Sequence, residues 1–109
     1  MIAGEDAMSN AMTTGLPPTH PGEVLREVVL PSVKQGKAEI ARLLGVSRQH
    51  LYDVLAGRKP VTTQMALRLV RMFGGTAETW LRLQEAYDLR TIEPRMADEL
   101  ATIPSLVAA

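Results

Sequence analysis

The chain has 109 residues, room for one domain with a modest core. It has no cysteine, which excludes a disulfide scaffold and a thiolate metal site, and no apolar run approaches the roughly 20 residues that cross a bilayer. Twelve basic and twelve acidic residues cancel, yet Lys34 to Met72 holds eight basic residues against Glu39 and Asp53, so the centre of a neutral chain can attract a polyanion.

With one Trp, two Tyr and one Phe, the core has to be aliphatic. The expectation is a cytoplasmic protein. Residues 1–18 lack periodicity and are rich in Gly, Ser, Asn, Thr and Pro, which predicts a flexible arm. Ser9-Asn10-Ala11-Met12 reads as a cloning remnant, with Met12 as the candidate natural start. The folded domain is expected over residues 19–90, and residues 91–109 are expected to form a C-terminal tail.

Helix one is predicted from Pro21 to Leu30, because proline at the first helical position lacks an N–H that would be unpaired there. His20 falls at its N-cap, and Glu23 is placed to reach back toward free amides. Val24, Leu25, Val28 and Val29 share one face, and Pro31 is expected to end the helix.

The second helix spans Lys37 to Leu44, burying Ile40, Ala41 and Leu44, with Gly45 supplying a left-handed stop. Helix three is capped by Ser47 and runs to Ala56, with Leu51, Val54 and Leu55 inward and Gly57 as its stop. Thr62 caps helix four, with Ala66, Leu69, Val70 and Phe73 inward and Gln64, Arg68 and Arg71 outward. Thr76 caps helix five, which reaches about Asp88 and carries Trp80, Leu83 and Tyr87 on one side and a Glu78–Arg82 pair on the other. Beyond Leu89 the signal fades, save for a short turn over Arg95 to Ala101. No segment alternates with period two, so the fold class is all-α: a five-helix, repressor-like bundle.

Lys37 to Val54 carries the function. Two short helices crossing steeply need a small residue at their approach, Ala41, and a turn residue tolerant of positive φ, Gly45. Leu51 and Val54 hold the second helix to the first, which leaves Ser47 at its N-terminus and Arg48, Gln49, Tyr52 and Asp53 facing outward. Arg48 can make a bidentate contact to guanine and Gln49 to adenine. Tyr52 can touch a thymine methyl or a phosphate. Asp53 can accept from cytosine or reject wrong sequences by repulsion. The bland alternative is that Arg48 with Tyr52, or Gln49 with Asp53, pair along the helix surface. Lys37, Arg58 and Lys59 are the candidates for backbone phosphates.

The residues so assembled resemble the HigA family of antitoxins, within the wider class of Cro- and repressor-like helix-turn-helix proteins. The match runs through His20-Pro21-Gly22-Glu23, Leu25-Arg26-Glu27, Ile40-Ala41, Leu44-Gly45-Val46-Ser47-Arg48-Gln49, Gly57-Arg58, Val61-Thr62, Met65 to Leu69, Trp80-Leu81, Leu83-Gln84 and Tyr87-Asp88-Leu89. The resemblance implies a homodimeric antitoxin that binds double-stranded operator DNA, represses its own promoter and neutralises a small ribonuclease toxin of the HigB type. Two departures stand out: Gly36 where a Ser or Thr cap is usual, and Lys37 where a phosphate-binding Gln is common.

A stand-alone repressor without a toxin is the alternative. An enzyme is not expected: His20 and His50 lie far apart in sequence, and a helix cap explains His20-x-x-Glu23 better than a metal pair does. No cofactor and no metal site are expected. Dimer contacts are expected around Trp80 to Leu89, with core burial as the competing role for Trp80.

Overall fold

His20 opens the fold: its ring nitrogen Nδ1 accepts from the Gly22 amide at 2.9 Å, capping the helix that Pro21 begins. The structure, a computed structural model, describes residues 19–107, so the arm expected over residues 1–18 lies outside the described residues. The Glu23 carboxylate does not reach back to free amides. It faces Arg26 at 3.8 Å.

Helix α1 (Pro21–Val24) continues without a break into a π-turn over Leu25–Val29 and a 3-10 turn over Leu30–Ser32. Pro31 therefore does not end the helical path, as the sequence suggests. A proline ring crowds the carbonyl four residues back and removes a donor. Here the coil widens just ahead of it, with the Leu30 amide bonded five residues back to Leu25, and then tightens to pass Pro31. The chain turns extended at Val33.

Helices α2 (Lys37–Leu44), α3 (Arg48–Leu55) and α4 (Thr63–Phe73) follow with the predicted boundaries. Their caps are the predicted ones: Ser47 accepts from the His50 amide at 2.9 Å, and Thr62 from Met65 at 3.2 Å. Helix α5 (Ala77–Arg95), capped by Thr76, runs past both Asp88 and residue 90, and a short α6 (Ala97–Ala101) follows. Six helices stand where five are expected, and there is no strand among the described residues.

The core is aliphatic, with Leu25, Leu51, Val54, Val61, Met65 and Leu69 almost fully buried. Ile40, Ala41 and Leu44 of α2 join it, as expected from their spacing. Trp80 is 3% exposed within one chain, so its role is core packing. Val70 and Phe73 are half-buried against the cluster. No ion pair joins Glu78 to Arg82 among the described residues.

Candidate nucleic-acid interface

The turn between α2 and α3 is built from backbone demands. Gly45 sits at φ 78°, ψ 27°, a left-handed geometry that costs a residue with a Cβ. The Val46 amide then returns to the Ala41 carbonyl at 3.0 Å and the Gly45 amide to Arg42 at 3.1 Å, which satisfies two carbonyls of the last turn of α2. The Ser47 cap starts α3 at once, and Leu51, Val54 and Leu55 pin its inner face.

Ser47, Arg48, Gln49 and Tyr52 all stand exposed on the outer side of this pair of helices, as expected. Arg48 and Tyr52 make no hydrogen bond to another side chain among the described residues. Asp53 is different. Its Oδ1 accepts from Gln49 Nε2 at 3.0 Å and from Arg58 Nε at 3.0 Å, while Lys59 Nζ lies 4.0 Å from Oδ2. Its backbone carbonyl accepts from the Arg58 and Lys59 amides at 2.8 and 3.2 Å. The Arg58 hydrogen bond and then that of Gln49 hold the Asp53 carboxyl below the usual carboxylate range. Of the two surface pairings considered from sequence, Gln49 with Asp53 forms and Arg48 with Tyr52 does not.

Lys37 stands exposed at the first position of α2. Gly36 ahead of it offers no side-chain cap, which leaves the first-turn amides of α2 without a side-chain acceptor. Arg42, part of the basic surplus, is neutralised by an ion pair with Glu39.

Three side chains that brace the site were missed from sequence. Arg26 reaches from the π-turn to the Leu55 carbonyl at 2.9 Å, closing the end of α3. Arg68, read as simply outward, donates to the Leu44 carbonyl at 3.0 Å and closes the end of α2. Gln84, buried on α5, accepts from the Val61 amide at 2.8 Å and donates to Asp88 at 2.9 Å, fixing the chain just beyond Arg58 and Lys59. The contacts to Leu55, Leu44 and Val61 each span more than twenty residues, and no local pattern announces them.

The geometry of α2, the turn and α3 is that of a helix-turn-helix. No family model matches the chain. Virulence-associated protein I of Dichelobacter nodosus is 41% identical over 78 residues, 72% of this chain and 72% of that protein. Antitoxin GraA, solved in complex with its operator, aligns at 42% identity with a TM-score of 0.73 over 86% of this chain and 96% of its own. The antitoxin HigA of Pseudomonas aeruginosa, solved with the higBA promoter, is 33% identical with a TM-score of 0.73 over 83% of this chain and 99% of its own. The chain belongs to the HigA family of helix-turn-helix antitoxins. As a HigA-family member it is a regulator and not an enzyme. No helix among the described residues is long and apolar enough to cross a membrane.

Proposed function

We propose that this HigA-family protein binds operator DNA in the major groove through α3, represses its own promoter as a homodimer, and neutralises a ribonuclease toxin of the HigB type. The observation that carries the reading is the Ser47-capped helix, which turns Arg48, Gln49 and Tyr52 outward together beside Arg58 and Lys59. In this reading Arg48 and Gln49 read base edges and Tyr52 meets a methyl group or a phosphate. Lys37, Ser47, Arg58 and Lys59 bind the backbone. Asp53 holds Gln49 and Arg58 in place rather than meeting a base. The operator-bound GraA and promoter-bound HigA support the DNA half of the proposal. A dimer supplies two recognition helices for half-sites about 34 Å apart, since one helix reads few base pairs.

Two measurements test it. The purified protein should retard a fragment of its own upstream DNA, with affinity falling steeply as salt rises. Coexpression with the neighbouring reading frame should yield a stable complex in which that neighbour's RNA cleavage is suppressed. Equal weakness on every DNA fragment refutes the repressor role, and an unsuppressed or non-toxic neighbour leaves a stand-alone repressor.

A further inference from the structure

The loop over residues 57–61, which carries Arg58 and Lys59 from α3 toward α4, is held from two sides. Asp53 holds one: its carbonyl takes the Arg58 and Lys59 amides, and its carboxylate faces their charged ends. The other side rests on the two buried polar side chains among the described residues, His20 from the start of α1 and Gln84 from α5. Buried polar groups are costly unless bonded, and both of these direct bonds to the one loop. The His20 Nδ1 accepts from the Gly22 amide at 2.9 Å, which leaves the proton of the neutral ring on Nε2, and the ring hydrogen-bonds the Lys59 backbone. It also lies against Gly57, where a Cβ would stand 3.6 Å from the ring, and Tyr87 of α5 packs on it edge-on at 4.9 Å. Gln84 Oε1 accepts from the Val61 amide at 2.8 Å, and its Nε2 donates to Asp88 Oδ1 at 2.9 Å.

Asp88 is thus shared: it orients Gln84, and its charge also acts on the imidazole. The other charged groups around the ring are Glu23 on α1, Arg58 and Lys59 in the loop, and Arg26 and Arg95 in the clefts that flank it. Burial outweighs the pull of Asp88, of the Lys59 backbone and of Glu23, and keeps the ring neutral near pH 7. A second proton has to go to Nδ1, where it meets the Gly22 N–H head on. The imidazolium then leaves that amide, and the strongest charge drawing it is Asp88, on which the orientation of Gln84 depends. One proton therefore disturbs both inner supports of the loop.

We infer that His20 and Gln84 are positioning residues for the phosphate-binding loop, and that protonation of His20 releases the loop and weakens operator binding. The inference rests on the reading of Arg58 and Lys59 as phosphate contacts. Arg48 and Gln49 stand at the opposite end of α3 from this loop and keep their places, so affinity falls while base preference stays. The consequence for regulation is a promoter that opens on acidification.

The test is fluorescence anisotropy on the protein's own upstream fragment, at a temperature where circular dichroism shows the fold intact at every pH. Wild-type affinity should fall at least about tenfold between about pH 7 and about pH 5, as uptake of one linked proton allows. The salt slope should fall over the same interval by about two, one for each of Arg58 and Lys59, while discrimination among single-base variants stays constant. His20→Asn keeps a cap without the ring, so it should bind at every pH about as weakly as the acidified wild type. Asp88→Asn leaves Gln84 an acceptor but removes the charge, and should move the midpoint of the fall to lower pH. Gln84→Met should show the lowered salt slope already at neutral pH. His50→Gln, which exchanges the other histidine, should titrate as the wild type does. In the free protein the amide resonances of Gly57, Lys59 and Val61 should shift with the midpoint of the His20 ring, a readout that needs neither DNA nor a variant. Affinity that holds or rises on acidification overturns the inference. So does a fall that survives His20→Asn or disappears with His50→Gln, and so do loop amides that stay still while the ring titrates. A protein that binds no upstream fragment at any pH refutes the repressor reading, and loop amides that follow His20 then still support the positioning role.

Discussion

Gly22 lies so close to Val54 that a methyl group on its Cα would stand 1.8 Å from the Val54 carbonyl oxygen. The glycine has ordinary helical surroundings, and what demands it is contact: α1 rests directly on the backbone of α3. This is why α1 holds α3 with so short an α-helical segment.

Gly22→Ala should therefore be severely destabilising. The clash is with backbone and not with a flexible side chain, so α1 has to lift off α3. We expect a loss of about 3 kcal/mol, the upper part of the usual overpacking range, read as a lowered urea midpoint. Gly36→Ser is the comparison: nothing lies within 4 Å of a Cβ there, and an added cap on α2 should stabilise by a few tenths of a kcal/mol. A Gly22→Ala protein as stable as wild type would contradict the contact.

His20 should make stability depend on pH. Burial holds its imidazole below the ordinary histidine value, against Asp88, a backbone hydrogen bond at Lys59, and Glu23. Tyr87 packs edge-on against the ring at 4.9 Å. The neutral ring is thus favoured by folding, and its Nδ1 must stay unprotonated to accept from Gly22. A depressed folded value means the contribution is fully present above about pH 6.5 and is lost as pH falls through the lower folded value. The melting temperature should drop between about pH 7 and about pH 5. His20→Asn, which can cap without titrating, should flatten that drop.

Asp53→Ala should weaken operator binding although it removes a negative charge from the surface proposed to meet phosphates. Without the carboxylate, Gln49, Arg58 and Lys59 lose their common anchor. A loss of about tenfold, or about 1.4 kcal/mol, is expected in a salt-controlled binding titration. Tighter binding would show that charge, and not positioning, governs this residue.

Arg48 and Lys59 should separate specificity from affinity. Arg48→Ala should flatten discrimination among operator variants by about 1–3 kcal/mol at its base pair. Lys59→Ala should weaken all sequences alike and lower the salt slope by about one. Fluorescence anisotropy with a panel of single-base operator variants at several salt concentrations distinguishes the two.

What was legible in the sequence was local. The caps at Ser47 and Thr62, the left-handed Gly45 and the spacing of Ile40, Ala41, Leu44, Leu51 and Val54 each act within a few residues, and they placed α2 and α3 correctly. Contacts across the chain were hidden: Gly22 on Val54, Arg26 on Leu55 and Gln84 on Val61 join residues with no shared pattern. The length of α5 was missed for another reason. Leu89 and Ile92 lie on its outer side, so they break the single apolar stripe by which a helix is recognised, and Pro94 suggests an earlier end than the helix has. The passage through Pro31 was missed because a change of helical period has no simple signature in composition.

Neither helix of the α2–α3 unit finishes its own C-terminus unaided: the last carbonyls go to Arg68 and Arg26, side chains borrowed from α4 and from the π-turn. The helix-turn-helix unit is thus not a portable cassette. A peptide of α2 and α3 cut loose from its frame would fray at both ends, and transplanting the unit onto another scaffold would require carrying the two arginines with it.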